Sequence, residues 1–370
     1  MGFFLTFISV DGKIWHKGMK SEKKIKAQSL QRFVSALFKR VGMTNTIAQD
    51  VTDALIQTSL RGVDSHGVRL VPHYVRAIKL GRINPRPSIS FKKTAGATGV
   101  VNTDNGHGIY AGLFAMRKAI LLAKKQGIGA VTVTKSTHFG AAGIYALEAA
   151  DNDMIGLSFT HSDALVVPYG GINPVLGTNP IAFAAPCAGE EPVCLDMATS
   201  QISWNKLLMH RAYHEVLPHG VAVNVKGMET QDPMTANALL PLGGYKGYGL
   251  ALMVDIFSGL LAGMPFGLGV SHMFLVDKKK RNLGHFMVAI NIAAFQPVST
   301  FKRRLKQEIE KIRREKPVSG INGVLVAGDP EKLMYTKRMK EGIPFTEEQC
   351  KELEMVAKEL GVLTDIFSHE

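Results

Sequence analysis

A mixed α/β protein is the fold class this sequence predicts, with a central sheet unit and a largely helical second unit assembled from both ends of the chain. Three observations carry it. Short β-branched runs alternate with helical stretches between about residues 96 and 284. Charged helical patterns dominate before and after that region. The chain has 370 residues, 46% hydrophobic and 20% charged, which suffices for about two domains and a large core. The division expected is an N-terminal extension over 1–18, a helical part over 19–95, a sheet domain over 96–284, and a C-terminal part over 285–370 that returns to the first domain.

Taken in order, the apolar stretch Phe3–Val10 is too short to span a bilayer, which needs roughly 20 residues. It also lacks the basic n-region and cleavage site of a signal peptide. Residues 22–42 read as an amphipathic helix, and Thr44–Thr58 as a second, capped by Thr44 or Asn45. A third begins near Ser65 and runs through Val68–Leu80, before Gly81, Pro85 and Pro87 break it. Strands are expected at 97–104, 129–136, 154–162, 180–186, 193–195 and 285–292. Helices are expected at 110–126, 143–152, 246–262, 300–316 and 347–360.

The formal charge of +13 raises the question of nucleic acid. The longest basic run, Lys302–Lys316, interleaves Glu308 and Glu310 at helical spacing, the pattern of a solvated helix face. With no recognition motif, a nucleic-acid partner is not expected. A basic surface also concentrates small dianions, which suits a carboxylate substrate and a pyrophosphate-bearing cofactor. Cys187, Cys194 and Cys350 form no CxxC pair and no metal-ligand spacing. This sparse, odd set fits a reducing compartment, so a cytoplasmic protein without metal is expected, and no membrane association.

Several segments carry chemistry. Gly106-x-Gly108-x-x-Ala111 follows a strand and opens a helix, as a dinucleotide-binding loop does. The next strand ends at Lys135–Ser136, so no acidic residue stands where ribose hydroxyls are held, and a plain strand–helix turn is the competing reading. Two histidines are better placed. His66, in Ser65-His66-Gly67, lies at a helix start, where amides gather and anions bind. His138 ends a buried strand and precedes the glycine-rich turn to Gly143, where an imidazole approaches substrate closely and titrates near neutrality. For either alone, a satisfied core or surface imidazole is the ordinary alternative. Gly243-Gly-Tyr-Lys246-Gly-Tyr-Gly249 sets four glycines around one lysine at the start of an apolar helix. A phosphate or carboxylate cradle and a surface lysine on a flexible loop both fit that pattern.

Together, RGVDSHGVRLVPHYVRAIKLGRINP, HFGAAGIYALEAA, VVPYGGINPVLGTNPIAFAAP, LDMATS and LLPLGGYKGYGLALMVDIFSGLLAG resemble the malate/L-lactate dehydrogenase family, which is unrelated to the Rossmann-type lactate and malate dehydrogenases. The resemblance runs collinearly from about residue 28 to 365. It implies a non-Rossmann cofactor domain, a homodimer with the active site near the subunit interface, and hydride transfer between a nicotinamide (NAD, with NADP possible) and a small 2-hydroxy acid. On that resemblance His138 is the catalytic acid/base and His66 the second active-site histidine. Ser162, Asp196, Met197, Ala198, Lys246, Gly328, Asp329 and Pro330 are the cofactor contacts. Many members carry a carboxylate-gripping arginine four residues after the SHG histidine. Here Leu70 stands there and Arg69 one place earlier, about 100° away on a helix. Arg69 is the substrate-binding candidate, with its reach left open. Asn205-Lys206 replaces a Gly-Lys of many members. The stretch 263–291 and the short Leu240–Lys246 connection resemble the ureidoglycolate-oxidising members, which implies oxidation of ureidoglycolate to oxalurate. Malate, lactate or sulfolactate are the alternatives within the family. A nonenzymatic anion- or nucleotide-binding protein is the alternative outside it, disfavoured by the intact His66, His138 and Lys246.

Overall fold

In the computed structural model, which describes residues 22–367, the N-terminal part comprises β1 (Lys23–Ile25), α1 (Ala27–Arg40), α2 (Asn45–Leu60) and α3 (Val71–Lys79). Then follow β2 (Ser90–Lys93), β3 (Thr98–Asn102), α4 (Gly108–Gln126), β4 (Ile128–Ser136), α5 (Gly143–Ala150), β5 (Met154–Thr160), β6 (Ile181–Ala185) and β7 (Val193–Met197). The remainder is α6 (Trp204–Tyr213), β8 (Ala222–Val223), β9 (Ala238–Leu239), α7 (Tyr245–Asp255), β10 (Leu283–Asn291), α8 (Val298–Arg313), α9 (Asp329–Glu341), β11 (Ile343–Phe345) and α10 (Glu347–Leu360). The extension expected over 1–18 lies outside the described residues.

The main sheet has the order β2-β3-β4-β10-β5-β6-β7. Only β3 and β4 run parallel, joined through α4; every other neighbour is antiparallel. This is a mixed sheet, not the parallel doubly wound one a Rossmann loop requires. β10 lies at its centre, so the sheet draws on residues up to Asn291. Helix α4 packs on β4 and β10, and α5 on β5 and β6. Val131, Val133, Met287 and Ala289 bury that face in one core continuous with Leu37, Phe38, Leu55 and Tyr74 of the N-terminal helices.

The two ends of the chain meet. β1 pairs antiparallel with β11, Lys23 opposite Phe345 and Ile25 opposite Ile343, while α10 packs against α1 and α3. The expected helix over 22–42 therefore starts later than its pattern suggests, because tertiary pairing claims Lys23–Ile25 as a strand. The expected third helix is also shorter. Its first residues form two 3₁₀ turns, Asp64–His66 and Val68–Leu70, and regular α-helix begins at Val71. Gly67 separates the turns in an extended conformation (φ −94°, ψ −150°). Helix α7 does not run to residue 262 as one α-helix but passes into a π-turn at Ile256–Leu260.

Candidate active site

One edge of the main sheet collects the chemistry. His138 follows β4, Arg281 precedes β10, Ser162 follows β5, Thr178 and Asn179 precede β6, and Ala198 follows β7. Because these five strands are mutually antiparallel in sequence across the sheet, those ends lie side by side. Hydrogen bonds tie them. His285 is fully buried and bridges Ser136 Oγ (2.8 Å) to Thr160 Oγ1 (2.7 Å), locking the ends of β4 and β5 to β10.

The glycine loop at 106–111 supports this edge from behind. Thr137 Oγ1 accepts from the Gly108 amide (2.9 Å) and donates to the Gly106 carbonyl (3.1 Å). A Cβ on Gly108 would lie 2.2 Å from the Thr137 oxygen and 2.4 Å from the His138 oxygen. The loop is a seat for the His138 segment, and its glycines answer to that backbone contact.

The structure brings His66 and His138 together, with ring centroids 5.6 Å apart and planes 24° from parallel. His138 Nδ1 is 2.8 Å from the hydroxyl of Tyr74, a residue with no exposed surface. Its Nε2 has no partner among the described residues. His66 Nδ1 is held by Ser65 Oγ at 2.8 Å, and Asn205 Nδ2 donates to the Ser65 carbonyl (3.1 Å). The residue that departs from the family pattern at 205 thus steadies the His66 turn. Arg69 is half-buried while Leu70 is 4% exposed and committed to the core. The guanidinium of Arg69 lies close enough to His66 to help hold its imidazole down. The 3₁₀ geometry, not a helical rotation, decides that placement.

Electrostatics keep these imidazoles neutral. Burial lowers His66 to about 4, with Arg69 adding to it. His138 is held well below the usual imidazole range by burial, then by His66 and Arg281. Tyr74 is pushed well above the phenol range by burial and stays a neutral hydroxyl. His107, 1% exposed, and His285, 0% exposed, are both lowered to about 3, chiefly by burial. The linkage sign follows. Such a histidine binds its proton in the unfolded chain near pH 6.5 but not in the folded one, so stability falls as pH drops through 6.5. At about pH 5.5 each of these two contributes a loss on the order of 1 kcal/mol. Denaturant titrations at about pH 7.5 and about pH 5.5 should therefore differ by a few kcal/mol, with the lower stability at about pH 5.5. Equal midpoints would show that these imidazoles can charge in place.

The cofactor candidates fall into three groups. Ser162 Oγ accepts from the Thr178 amide (3.1 Å), and Thr199 Oγ1 donates to the carbonyls of Thr178 and Asn179 (both 3.1 Å). The Leu242 amide donates to the Thr199 carbonyl (2.8 Å), which draws the glycine loop before α7 to this cluster. Lys246, in the first turn of α7, is exposed and has no partner among the described residues. Uncapped amides and an exposed ammonium on a loop tied to this cluster through Leu242 fit an anionic pyrophosphate. Asp196 accepts from the Gly143 amide (2.7 Å) at the start of α5, five residues beyond His138, with Met197 and Ala198 half-buried behind it. Gly328, Asp329 and Pro330 flank the outer edge of β7 at Cys194, whose amide donates to Ala327 (3.2 Å). The Asp329 carboxylate is taken by Arg313 at 2.6 and 2.9 Å, so this turn offers backbone and not charge.

Lys246→Ala is expected to raise the KM for cofactor roughly ten- to a hundred-fold, the equivalent of one charge-assisted contact of about 1.5–3 kcal/mol. Steady-state kinetics with cofactor varied decide it. A fall in kcat with KM unmoved would place Lys246 in the chemistry instead.

Sequence reasoning missed Tyr74, His107 and Arg281. Tyr74 sits on an apolar helix face like any core aromatic, and only its hydroxyl partner distinguishes it. Arg281 reads as the end of a basic run, Lys278–Arg281, yet it is 5% exposed and paired with buried Asp163. Among the described residues no cluster of His, Cys, Asp or Glu is placed to hold a metal, no helix is long and apolar enough to cross a membrane, and the three cysteines are free.

A family model described as malate/L-lactate dehydrogenase matches residues 25–354. A malate dehydrogenase of Pyrococcus abyssi is 39% identical over 361 residues, spanning 94% of this chain and 99% of that protein. A ureidoglycolate dehydrogenase (NAD(+)) of Escherichia coli K12 is 34% identical over 325 residues, spanning 88% and 93%. The solved structure of sulfolactate dehydrogenase from Methanocaldococcus jannaschii superposes with a TM-score of 0.87 at 33% identity, covering 93% of this chain and 99% of that one.

Proposed function

This chain belongs to the malate/L-lactate dehydrogenase family, whose members are oxidoreductases acting on a CH–OH group, and from that premise we propose that it oxidises a small 2-hydroxy acid, or reduces the matching 2-keto acid, with His138 as the acid/base. The observation that carries the reading is the His138–Tyr74 pair. With Nδ1 held by the Tyr74 hydroxyl at 2.8 Å, Nε2 is left for the substrate. For Nε2 to take the carbinol proton, Nδ1 must carry its hydrogen and donate it to the Tyr74 oxygen. The imidazolium so formed is destabilised by burial and by the neighbouring charges, so it returns the proton readily. His66, stacked beside it, is the second proton-transfer candidate, and Arg69 adds a cation on the His66 side. A bound NAD or NADP supplies the hydride acceptor. Ser162, the Asp196–Ala198 stretch, Lys246 and the Gly328–Pro330 turn would hold it.

The sheet unit accordingly carries the cofactor, and the helical unit built from both termini carries His66, Arg69 and Tyr74. The apolar surface from α7 onward, with Leu252 42%, Ile256 43%, Leu260 51% and Leu261 57% exposed, is what a second copy of the chain would cover; a homodimer in the cytoplasm is the assembly this reading carries.

For the substrate, the 263–291 stretch and the short Leu240–Lys246 connection favour ureidoglycolate, oxidised to oxalurate with NAD. The higher identity of the Pyrococcus malate dehydrogenase favours malate. A pocket built for a ureido group should reject analogues lacking it by large factors, about 10⁴–10⁵ in strong cases. The experiment is a screen of ureidoglycolate, malate, lactate and sulfolactate with each cofactor, read as kcat/KM from reduced-nicotinamide absorbance. If malate or lactate matches or beats ureidoglycolate, the ureidoglycolate reading fails. Turnover of none of the four would count against the dehydrogenase reading itself.

A further inference from the structure

We propose that Arg281 anchors the substrate's carboxylate beside the reacting carbon, presenting Nη1 to it across from His138. The inference rests on the 2-hydroxy-acid reading above and adds a residue to it. Three observations place Arg281 there. First, the last β4–β10 pair is Leu283 opposite Ser136. Arg281 enters β10 and His138 leaves β4 at that same end of the paired strands, each two residues beyond the pair.

Second, the guanidinium is buried and oriented by its own partners. Nε donates to the Ser271 carbonyl (3.1 Å) and Nη2 is paired with Asp163. Among the described residues Nη1 has no partner. A buried arginine normally fills its fork; here one prong is left over at the sheet edge where the chemistry collects. Third, the surrounding segment is fixed from outside. Arg82, 3% exposed, donates to the carbonyls of His272, Met273, Leu275 and Lys279, at 2.6–3.1 Å. Phe274 of that segment packs edge-on against His73 (5.0 Å), the neighbour of Tyr74. The charge of Arg281 is felt at His138, His73 and Tyr74. With Leu70 where many family members place an arginine, this cation stands at the strand end that carries His138, and Arg69 stands on the His66 side.

The test uses oxamate, a 2-keto acid mimic with one carboxylate, binding to the full chain loaded with NADH and followed by quenching of nicotinamide fluorescence. Arg281→Lys keeps a cation but loses the planar fork. It should weaken oxamate binding about ten- to a hundred-fold, with NADH affinity nearly unchanged. In Arg281→Ala, added guanidinium ion should restore oxamate binding. Oxamate affinity in Arg281→Lys within about threefold of wild type would overturn the assignment. So would a chain that folds with neither substitution, since Arg281 would then be a structural partner of Asp163. Binding of neither oxamate nor oxalurate by wild type, with NADH bound, would overturn the functional reading as well.

Discussion

Replacing His138 by alanine should lower kcat by about 10²–10⁴ while cofactor affinity stays nearly unchanged. The size follows from the role. His138 Nε2 has no partner among the described residues, while its Nδ1 is fixed by the buried Tyr74 hydroxyl. Removing the ring removes the proton acceptor and leaves Ser162, Thr199 and Lys246, on other segments of the chain, in place. Kinetics at saturating cofactor, with cofactor affinity measured separately, check both halves. A variant keeping more than about a tenth of wild-type kcat would remove His138 from the chemistry.

Gly108→Ala should be nearly as damaging although Gly108 touches no ligand in this account. Its added Cβ would meet backbone on the other side, 2.2 Å from the Thr137 oxygen and 2.4 Å from the His138 oxygen, and neither can swing aside as a side-chain end could. Overpacking of this kind costs about 1–3 kcal/mol or more. What yields is the segment carrying the catalytic ring, and a displacement of about 1 Å in a reacting group can cost about 10²-fold in rate. The expected result is a lowered Tm together with a kcat loss of about that size. Gly323→Ala, where a Cβ meets nothing within 4 Å, should leave both unchanged. A Gly108→Ala enzyme with wild-type kcat would show that the glycine loop does not seat His138.

These two residues also show how far the sequence could be read. His138 was legible because a strand end followed by a glycine turn leaves a local signature, and His66 likewise. The cap of α2 at Thr44 and the full span of α10 were legible for the same reason. Gly108 was legible as a glycine that mattered, but a loop pattern cannot say whether phosphate or another stretch of backbone approaches it. Other features were illegible because register decides them. β1 looks like the start of a helix until β11 arrives some 320 residues later. β2, Ser-Phe-Lys-Lys on the sheet edge, has no apolar alternation to announce it. Helix α9 has no continuous apolar face, and Asp329 and Arg338 are its buried residues. Arg281 differs from the lysines before it through its burial and its pairing with Asp163, which no run of residues encodes. The Arg69–Leu70 exchange turned on two 3₁₀ turns where a helix was expected.

The central claim is that hydride leaves the carbon bearing the hydroxyl of a 2-hydroxy acid while His138 takes the hydroxyl proton. It is tested most directly with the best acid from the substrate screen, labelled with deuterium at C2, and single-turnover mass measurement of the reduced cofactor. The account predicts one deuterium in the cofactor from wild type, a primary isotope effect on the step, and loss of that step in His138→Ala with the labelled acid still bound. Reduced cofactor without deuterium, or transfer at an undiminished rate in His138→Ala, would contradict it.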